Sequence, residues 1–68
     1  MNFKHLETFY WAVKLGSFSA AAQRLNATQS TISMRIIELE RDLGVELFDR
    51  TMRVARPTAK GRELLYYA

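Results

Sequence analysis

Residues 28–43 read TQSTISMRIIELERDL and predict one long helix with two different faces. The apolar face consists of Ile32, Ile36, Leu39 and Leu43. Their spacings of four, three and four are those of residues along one side of a helix. Thr28 is a suitable N-cap, and Gly44 supplies the left-handed residue that often follows a helix. The other face begins with polar, uncharged side chains and Met34, and no acid precedes Glu38. Taken alone, this pattern favours an ordinary amphipathic surface helix over a DNA-binding one, so the neighbouring segments must decide.

Two shorter helices are predicted before this one. The first covers residues 2–15, begins at a capping asparagine and ends before Gly16. A serine of the short break at residues 17–19 caps the second, over residues 20–25, whose three alanines allow close approach to another helix. Asn26 tolerates the left-handed conformation that the following sharp turn needs. A short helix, a turn and a second helix with a polar leading face are typical of a helix-turn-helix.

Several side chains in these helices allow two interpretations. Tyr10 and Trp11 have the rings for base stacking, but aromatic residues on so short a helix favour a place in the core. His5 is expected at the surface, because a lone histidine without partners is no metal site. Arg35 is expected to lay its stem along the core edge, with its head in solvent or on a phosphate.

A small β-structure is predicted after the long helix. Leu47 and Phe48 are apolar and are expected to anchor the segment under the helices. Residues 54–56 can form a short return strand, which Pro57 is expected to stop. Two short strands with a basic tip would make a wing.

A last helix is predicted over residues 59–68, with Thr58 as its cap. Gly61 is expected to weaken the first turn of this helix. The chain stops while the helix is still running, without a stop signal, so we expect the chain to be part of a longer protein.

The composition limits the functions that the chain is expected to have. The chain has 68 residues, enough for one domain, with no cysteine and one histidine, so no metal, disulfide or cofactor is expected. No stretch is apolar enough to span a membrane, and the absence of cysteine is compatible with a reducing cytoplasm. An enzyme is disfavoured, because the chain lacks a glycine-rich phosphate loop and a plausible carboxylate pair.

The charges are unevenly distributed. Residues 38–49 hold five acids and one base, whereas residues 50–62 hold five bases and no acid, within a net charge of +3. Clustered basic residues are typical of nucleic-acid binders, although a solvated basic loop would show the same cluster.

The order of these features resembles the N-terminal DNA-binding domain of LysR-type transcriptional regulators. The matching stretches are GSFSAAA at 16–22, TQSTIS at 28–33, IIELE at 36–40, LGVELFDR at 43–50 and PTAKG at 57–61. Together they are specific, and they cover essentially the whole chain.

The resemblance implies a mainly α, winged helix-turn-helix fold with a three-helix core and a short two-stranded wing. The DNA-binding domain would cover residues 1–58, with the helix-turn-helix at about 18–37, the wing at about 46–57 and the start of a linker helix at 59–68. It also implies a homodimer or tetramer formed through that helix. A small-molecule effector would bind a C-terminal domain that this chain lacks.

The resemblance further implies a set of contacts with double-stranded DNA. The implied base contacts are Gln29, Ser30, Ser33 and Met34 in the major groove and Arg53 in the minor groove. The implied phosphate contacts are Thr28, Thr31, Arg35 and Arg50. At position 34 a methionine suits a thymine methyl group better than a guanine. Arg50 has a second interpretation, in which it braces the wing by pairing with Glu46 or another acid. The competing function is a winged-helix module that binds a protein partner.

Overall fold

The computed structural model describes residues 2–49 and 55–67, and this part of the chain forms four helices. They are α1 (Phe3–Leu15), α2 (Phe18–Arg24), α3 (Gln29–Leu43) and α4 (Ala59–Tyr67). Helices α1, α2 and α3 pack against one another in all three pairings. The mainly helical fold and its three-helix core are therefore confirmed.

The predicted caps account for the ends of α1 and α3. The Asn2 side chain accepts a hydrogen bond from the His5 N–H at 2.9 Å, and Thr28 Oγ1 accepts one from the Thr31 N–H at 3.1 Å. Gly16 and Gly44 end the two helices with φ values of 68° and 70°, a region that favours glycine.

Helix α2 begins earlier than predicted. Its cap is Ser17, one of the two serines in the predicted break, and the first helical residue is Phe18 rather than Ala20. The Ser17 hydroxyl accepts from the Ala20 N–H at 3.1 Å, which satisfies a donor of the first turn and starts the helix immediately. After α2, Asn26 takes the predicted left-handed conformation with φ of 58°.

The core lies where the three helices meet the segment after α3. The buried apolar residues are Phe9, Ala12, Ala21, Ala22, Ile32, Ile36, Leu39, Leu47 and Phe48. Phe48 is held edge-on between two rings, with centroids 5.6 Å from Phe9 and 5.2 Å from Phe18. The prediction that Leu47 and Phe48 anchor their segment under the helices is thus confirmed.

The aromatic residues of α1 are partly in this core. Trp11 packs against it, and Tyr10 is half-buried with its ring 5.1 Å from that of Trp11. The Arg24 guanidinium lies 4.2 Å from the Trp11 ring centroid, so a cation covers the indole face. Neither ring is therefore freely presented to a ligand.

His5 is half-buried and pairs with an acid, which the sequence did not predict. Its side chain is only 13% exposed, and Nε2 lies 3.1 Å from Glu38 Oε1 on α3. Spacing within one helix could not reveal this pairing, because the partner lies 33 residues away. The contact ties the start of α1 to the middle of α3.

An antiparallel bridge joins Phe48 to Pro57 and forms the base of the predicted wing. The Asp49 N–H donates to the Arg56 carbonyl at 2.9 Å, and the Thr58 N–H donates to the Leu47 carbonyl at 3.0 Å. Pro57 pairs within the return segment rather than stopping it, which corrects the prediction. The flanking bonds need no N–H from position 57, so proline fits there. The rest of the predicted wing, residues 50–54, lies outside the described residues.

Helix α4 is fastened to this base. The Thr58 hydroxyl accepts from the Gly61 N–H at 3.1 Å and donates to the Glu46 carbonyl at 2.6 Å. Gly61 is buried, and a Cβ placed there would collide with the Leu47 carbonyl oxygen. The glycine that weakens the first turn in isolation is therefore required by packing.

Candidate nucleic-acid interface

The leading half of α3 presents a continuous outward face. Because Ile32, Ile36 and Leu39 are turned into the core, the opposite side of the helix is left at the surface. An open groove on that side is lined by Gln29, Ser30, Ser33, Met34, Ile37, Glu38 and Arg41. All four base contacts implied for α3 are brought together here, which sequence spacing alone predicted.

The character of this face is mixed. Gln29 and Ser30 are exposed and Ser33 is half-buried, so amide and hydroxyl groups lie at the surface. Met34 is 59% exposed and Ile37 is 47% exposed, which gives the same face an apolar strip. Sequence analysis had not singled out Ile37, although its position three residues after Met34 places it on the same side of the helix.

The N-terminus of α3 adds directed donors and a positive field. Thr28 Oγ1 and Thr31 Oγ1 lie 2.9 Å apart, so the two hydroxyls bond to each other beside the first turn. The first intrahelical bond runs from the Ile32 N–H to the Thr28 carbonyl, so the N–H groups of Gln29 and Ser30 lie ahead of the first intrahelical donor. The positive end of the helix dipole is therefore presented at the start of the exposed face.

Gln29 is held by a residue of the preceding helix. Ser19 Oγ donates a hydrogen bond to Gln29 Oε1 at 2.9 Å. Ser19 is exposed on α2, and the bond crosses from the first helix of the motif to the second. Sequence reasoning missed Ser19, because a serine ten residues upstream carries no pattern that links it to Gln29.

Arg35 is oriented toward α1. The Nη1 atom of its half-buried side chain lies 3.4 Å from the hydroxyl of Thr8, which is fully buried. This is a long hydrogen bond, and it draws the guanidinium to the edge of the core. Of the implied phosphate contacts, Thr28 and Thr31 lie at the start of α3 with their hydroxyls bonded to each other, whereas the head of Arg35 is engaged with protein.

The wing arginines predicted to contact DNA, Arg50 and Arg53, lie outside the described residues. Arg56 and Arg62 are exposed beside the base of the wing, and Arg62 Nη1 donates to the Pro57 carbonyl at 3.3 Å. Glu38 and Arg41 occupy the end of the groove farther along α3. Positive charge is thus available near the wing base, and the acid in the groove is set back from the leading turn.

Within the described ranges, no helix has the length and apolar character needed to cross a membrane. What these ranges do contain is a short helix, a left-handed turn and a second helix with an exposed polar leading face. The antiparallel bridge between Phe48 and Pro57 follows them. These features together define a helix-turn-helix DNA-binding domain.

Comparison with known proteins agrees with that class. Residues 3–62 match the family of bacterial regulatory helix-turn-helix proteins of the lysR type. The HTH-type transcriptional regulator YtlI of Bacillus subtilis is 54% identical over 50 residues, covering 74% of this chain and 16% of that protein. An HTH-type transcriptional regulator of Sinorhizobium fredii, y4mQ, is 49% identical over 63 residues, covering 93% and 21%. The chain spans about a fifth or less of these relatives.

Solved structures are also similar to this chain. The BenM DNA-binding domain in complex with benA site 1 DNA has a TM-score of 0.95 at 34% identity, covering 98% of this chain and 75% of that one. The CbnR DNA-binding domain in complex with DNA has a TM-score of 0.93 at 37% identity, covering 98% and 77%. The chain belongs to the lysR family of bacterial regulatory helix-turn-helix proteins and is a DNA-binding domain of that family, whose members are regulators rather than enzymes.

Proposed function

We propose that α3 enters the major groove of duplex DNA with its leading half and reads base edges through Gln29, Ser30, Ser33 and Met34. The observation that carries this proposal is the exposed groove on α3, where these four side chains lie together on one face. The major groove admits a helix and distinguishes all four base pairs, so such a face can select a sequence.

Each side chain has chemistry suited to a different part of a base edge. The Gln29 amide can donate to N7 and accept from N6 of one adenine. The hydroxyls of Ser30 and Ser33 can donate or accept. Met34 has neither a donor nor a strong acceptor, and its exposed thioether suits the C5-methyl group of a thymine.

Backbone contacts would hold this face in register. Thr28, Thr31, Arg35 and Arg50 are proposed to contact phosphates, with Arg50 alternatively bracing the wing. For Arg35 this requires the guanidinium to leave Thr8 or to use its remaining donors. Arg53 is proposed to enter the minor groove from the wing, where arginine favours narrow A·T-rich stretches.

The assembly of the whole protein extends this proposal. Helix α4 would continue as a linker that pairs two subunits into a dimer or tetramer, and a separate C-terminal domain would bind a small effector. A two-fold dimer would place two recognition helices one or more helical turns apart on a near-palindromic site. The protein would act on chromosomal DNA in the bacterial cytoplasm.

Selection from a random duplex library, read by sequencing at low and moderate salt, tests this function. An enriched motif with dyad symmetry would support a sequence-specific dimer, and a single half-site would support reading by a monomer. Binding should weaken steeply with salt, because phosphate contacts release counterions. A folded protein that binds no duplex at low salt would overturn the proposal in favour of a protein-binding module.

Two variants test whether Gln29 determines the preference at a base pair. Gln29→Ala should relax the preference at one base pair by roughly 1–3 kcal/mol, because a two-ended contact is lost. Gln23→Ala is the matched control, since Gln23 is an exposed glutamine on α2 outside the groove. An equal loss on every sequence for Gln29→Ala would count against its role as a base reader.

A further inference from the structure

The hydrogen bond between Ser19 and Gln29 links the two helices of the motif at the proposed reading face. Its length is 2.9 Å, and both residues are exposed. We propose that Ser19 is a positioning residue, which pre-organises the Gln29 amide and thereby sets how strongly one base pair is preferred. This inference rests on the proposed function, in which Gln29 reads a base.

The physical reason lies in the freedom of the glutamine side chain. An exposed glutamine has three rotatable side-chain bonds, and its terminal torsion is broad, so the amide samples many orientations. A bond from a hydroxyl on a neighbouring helix limits this sampling before any base arrives. Less ordering is then needed when the complex forms, and pre-organisation of this kind raises affinity for the matching partner.

The bond is compatible with base reading. A carbonyl oxygen has two lone pairs, so Gln29 Oε1 can accept from Ser19 and from an adenine amino group together. The amide NH2 group is then left to donate to adenine N7. Ser19 therefore shares the amide oxygen, leaves the NH2 group free, and is compatible with the two-ended contact.

The location of Ser19 favours such a dedicated role. It is the second residue of α2, whereas the cap of that helix is supplied by Ser17. The Ser19 side chain is thus not needed to start α2, and its bond goes to α3 instead. Loss of the hydroxyl should alter recognition without unfolding the helix.

The test compares Ser19→Ala, Ser19→Thr and Gln29→Ala, together with Ser19→Ala in the Gln29→Ala background. Each protein is titrated against the duplex enriched by selection and against duplexes changed at the pair whose preference depends on Gln29. Ser19→Ala should reduce discrimination at that pair about two- to tenfold, the range expected when one side chain must be ordered on binding. Ser19→Thr keeps a hydroxyl and should restore most of it.

The double variant separates positioning from other roles. In the Gln29→Ala background, Ser19→Ala should cause no further loss of discrimination, because there is no amide left to orient. A uniform loss on every duplex that persists without Gln29 would instead identify a phosphate contact by Ser19 and overturn the inference. A lowered melting temperature with unchanged discrimination would identify a structural role and overturn it as well.

The same variants distinguish failure of base reading by Gln29 from failure of the positioning role of Ser19. If Gln29→Ala leaves base preference unchanged, the base-reading assignment fails and the inference about Ser19 falls with it. If Gln29→Ala changes the preference but Ser19→Ala does not, only the role of Ser19 is refuted.

Discussion

Replacement of Gly61 by alanine should destabilise the domain, although alanine is the better helix former. A Cβ at position 61 would overlap the Leu47 carbonyl oxygen and lie 3.0 Å from the Cβ of Pro57. The overlapped atom is backbone, and the same carbonyl accepts the Thr58 N–H at 3.0 Å, so it cannot retreat without disturbing that bond. Overpacking typically costs about 1–3 kcal/mol, and Gly→Ala in a helix interior recovers up to about 1 kcal/mol.

The net loss should therefore be about 1–2 kcal/mol in the free energy of unfolding. For a domain of this size, that corresponds to a fall of roughly 5–15 °C in melting temperature. Thermal and urea denaturation followed by circular dichroism would measure it. Ala59→Gly, at an exposed position of the same helix, is the control that reports helix propensity alone. If Gly61→Ala melts at or above the temperature of the original protein, the packing argument is refuted.

Three further changes probe other contacts. Replacing the thymine that we propose faces Met34 by deoxyuridine should weaken binding about fourfold, the value of one buried methyl group, and should have no effect on the Met34→Ala variant. Glu40→Ala should lower the free energy of unfolding by about 1–3 kcal/mol, because Glu40 Oε2 accepts from the Leu47 N–H at 2.7 Å. A fall of less than about 0.5 kcal/mol in urea denaturation would contradict this. The pair between His5 and Glu38 should contribute less than about 1 kcal/mol in a double-mutant cycle, since Glu38 is 47% exposed.

Local signals in the sequence predicted the helices well. Periodic apolar residues identified the buried side of α3, and a cap at each end limited it to Gln29–Leu43. These signals succeed because they depend on backbone groups within a few residues of one another. By elimination they also predicted the exposed face, since side chains opposite a buried stripe have no core to enter.

Contacts between elements could not be predicted in this way. The Ser19–Gln29 bond, the His5–Glu38 pair and the Arg35–Thr8 contact each join side chains on different helices. Whether such groups meet depends on crossing angles and rotamers, which no spacing within one helix encodes. For this reason the sequence did not reveal that His5 is half-buried against Glu38.

Proline at position 57 and glycine at position 61 illustrate a related limit. Each was judged by its intrinsic preference, as a stop for a strand and a weak point in a helix. In the structure the hydrogen bonds on either side of Pro57 need no N–H from it. The packing around Gly61 leaves no room for a Cβ. Tertiary context decides both cases. Proline loses no hydrogen bond where strand pairing uses no N–H at its position, and glycine is favoured where packing leaves no room for a Cβ.

The contacts of the acids on α3 explain how a helix that we propose enters DNA can carry negative charge in its rear half. Glu40 reaches back to the segment after the helix and accepts from the Leu47 N–H at 2.7 Å, and Glu38 lies 3.1 Å from the His5 ring. The rear of the proposed reading helix is thus attached to the wing base and to α1, while Ser19 holds its leading residue. A change at Glu40 would loosen the connection between α3 and the wing base. It should therefore alter the relative placement of major-groove and wing contacts even where the helices remain folded.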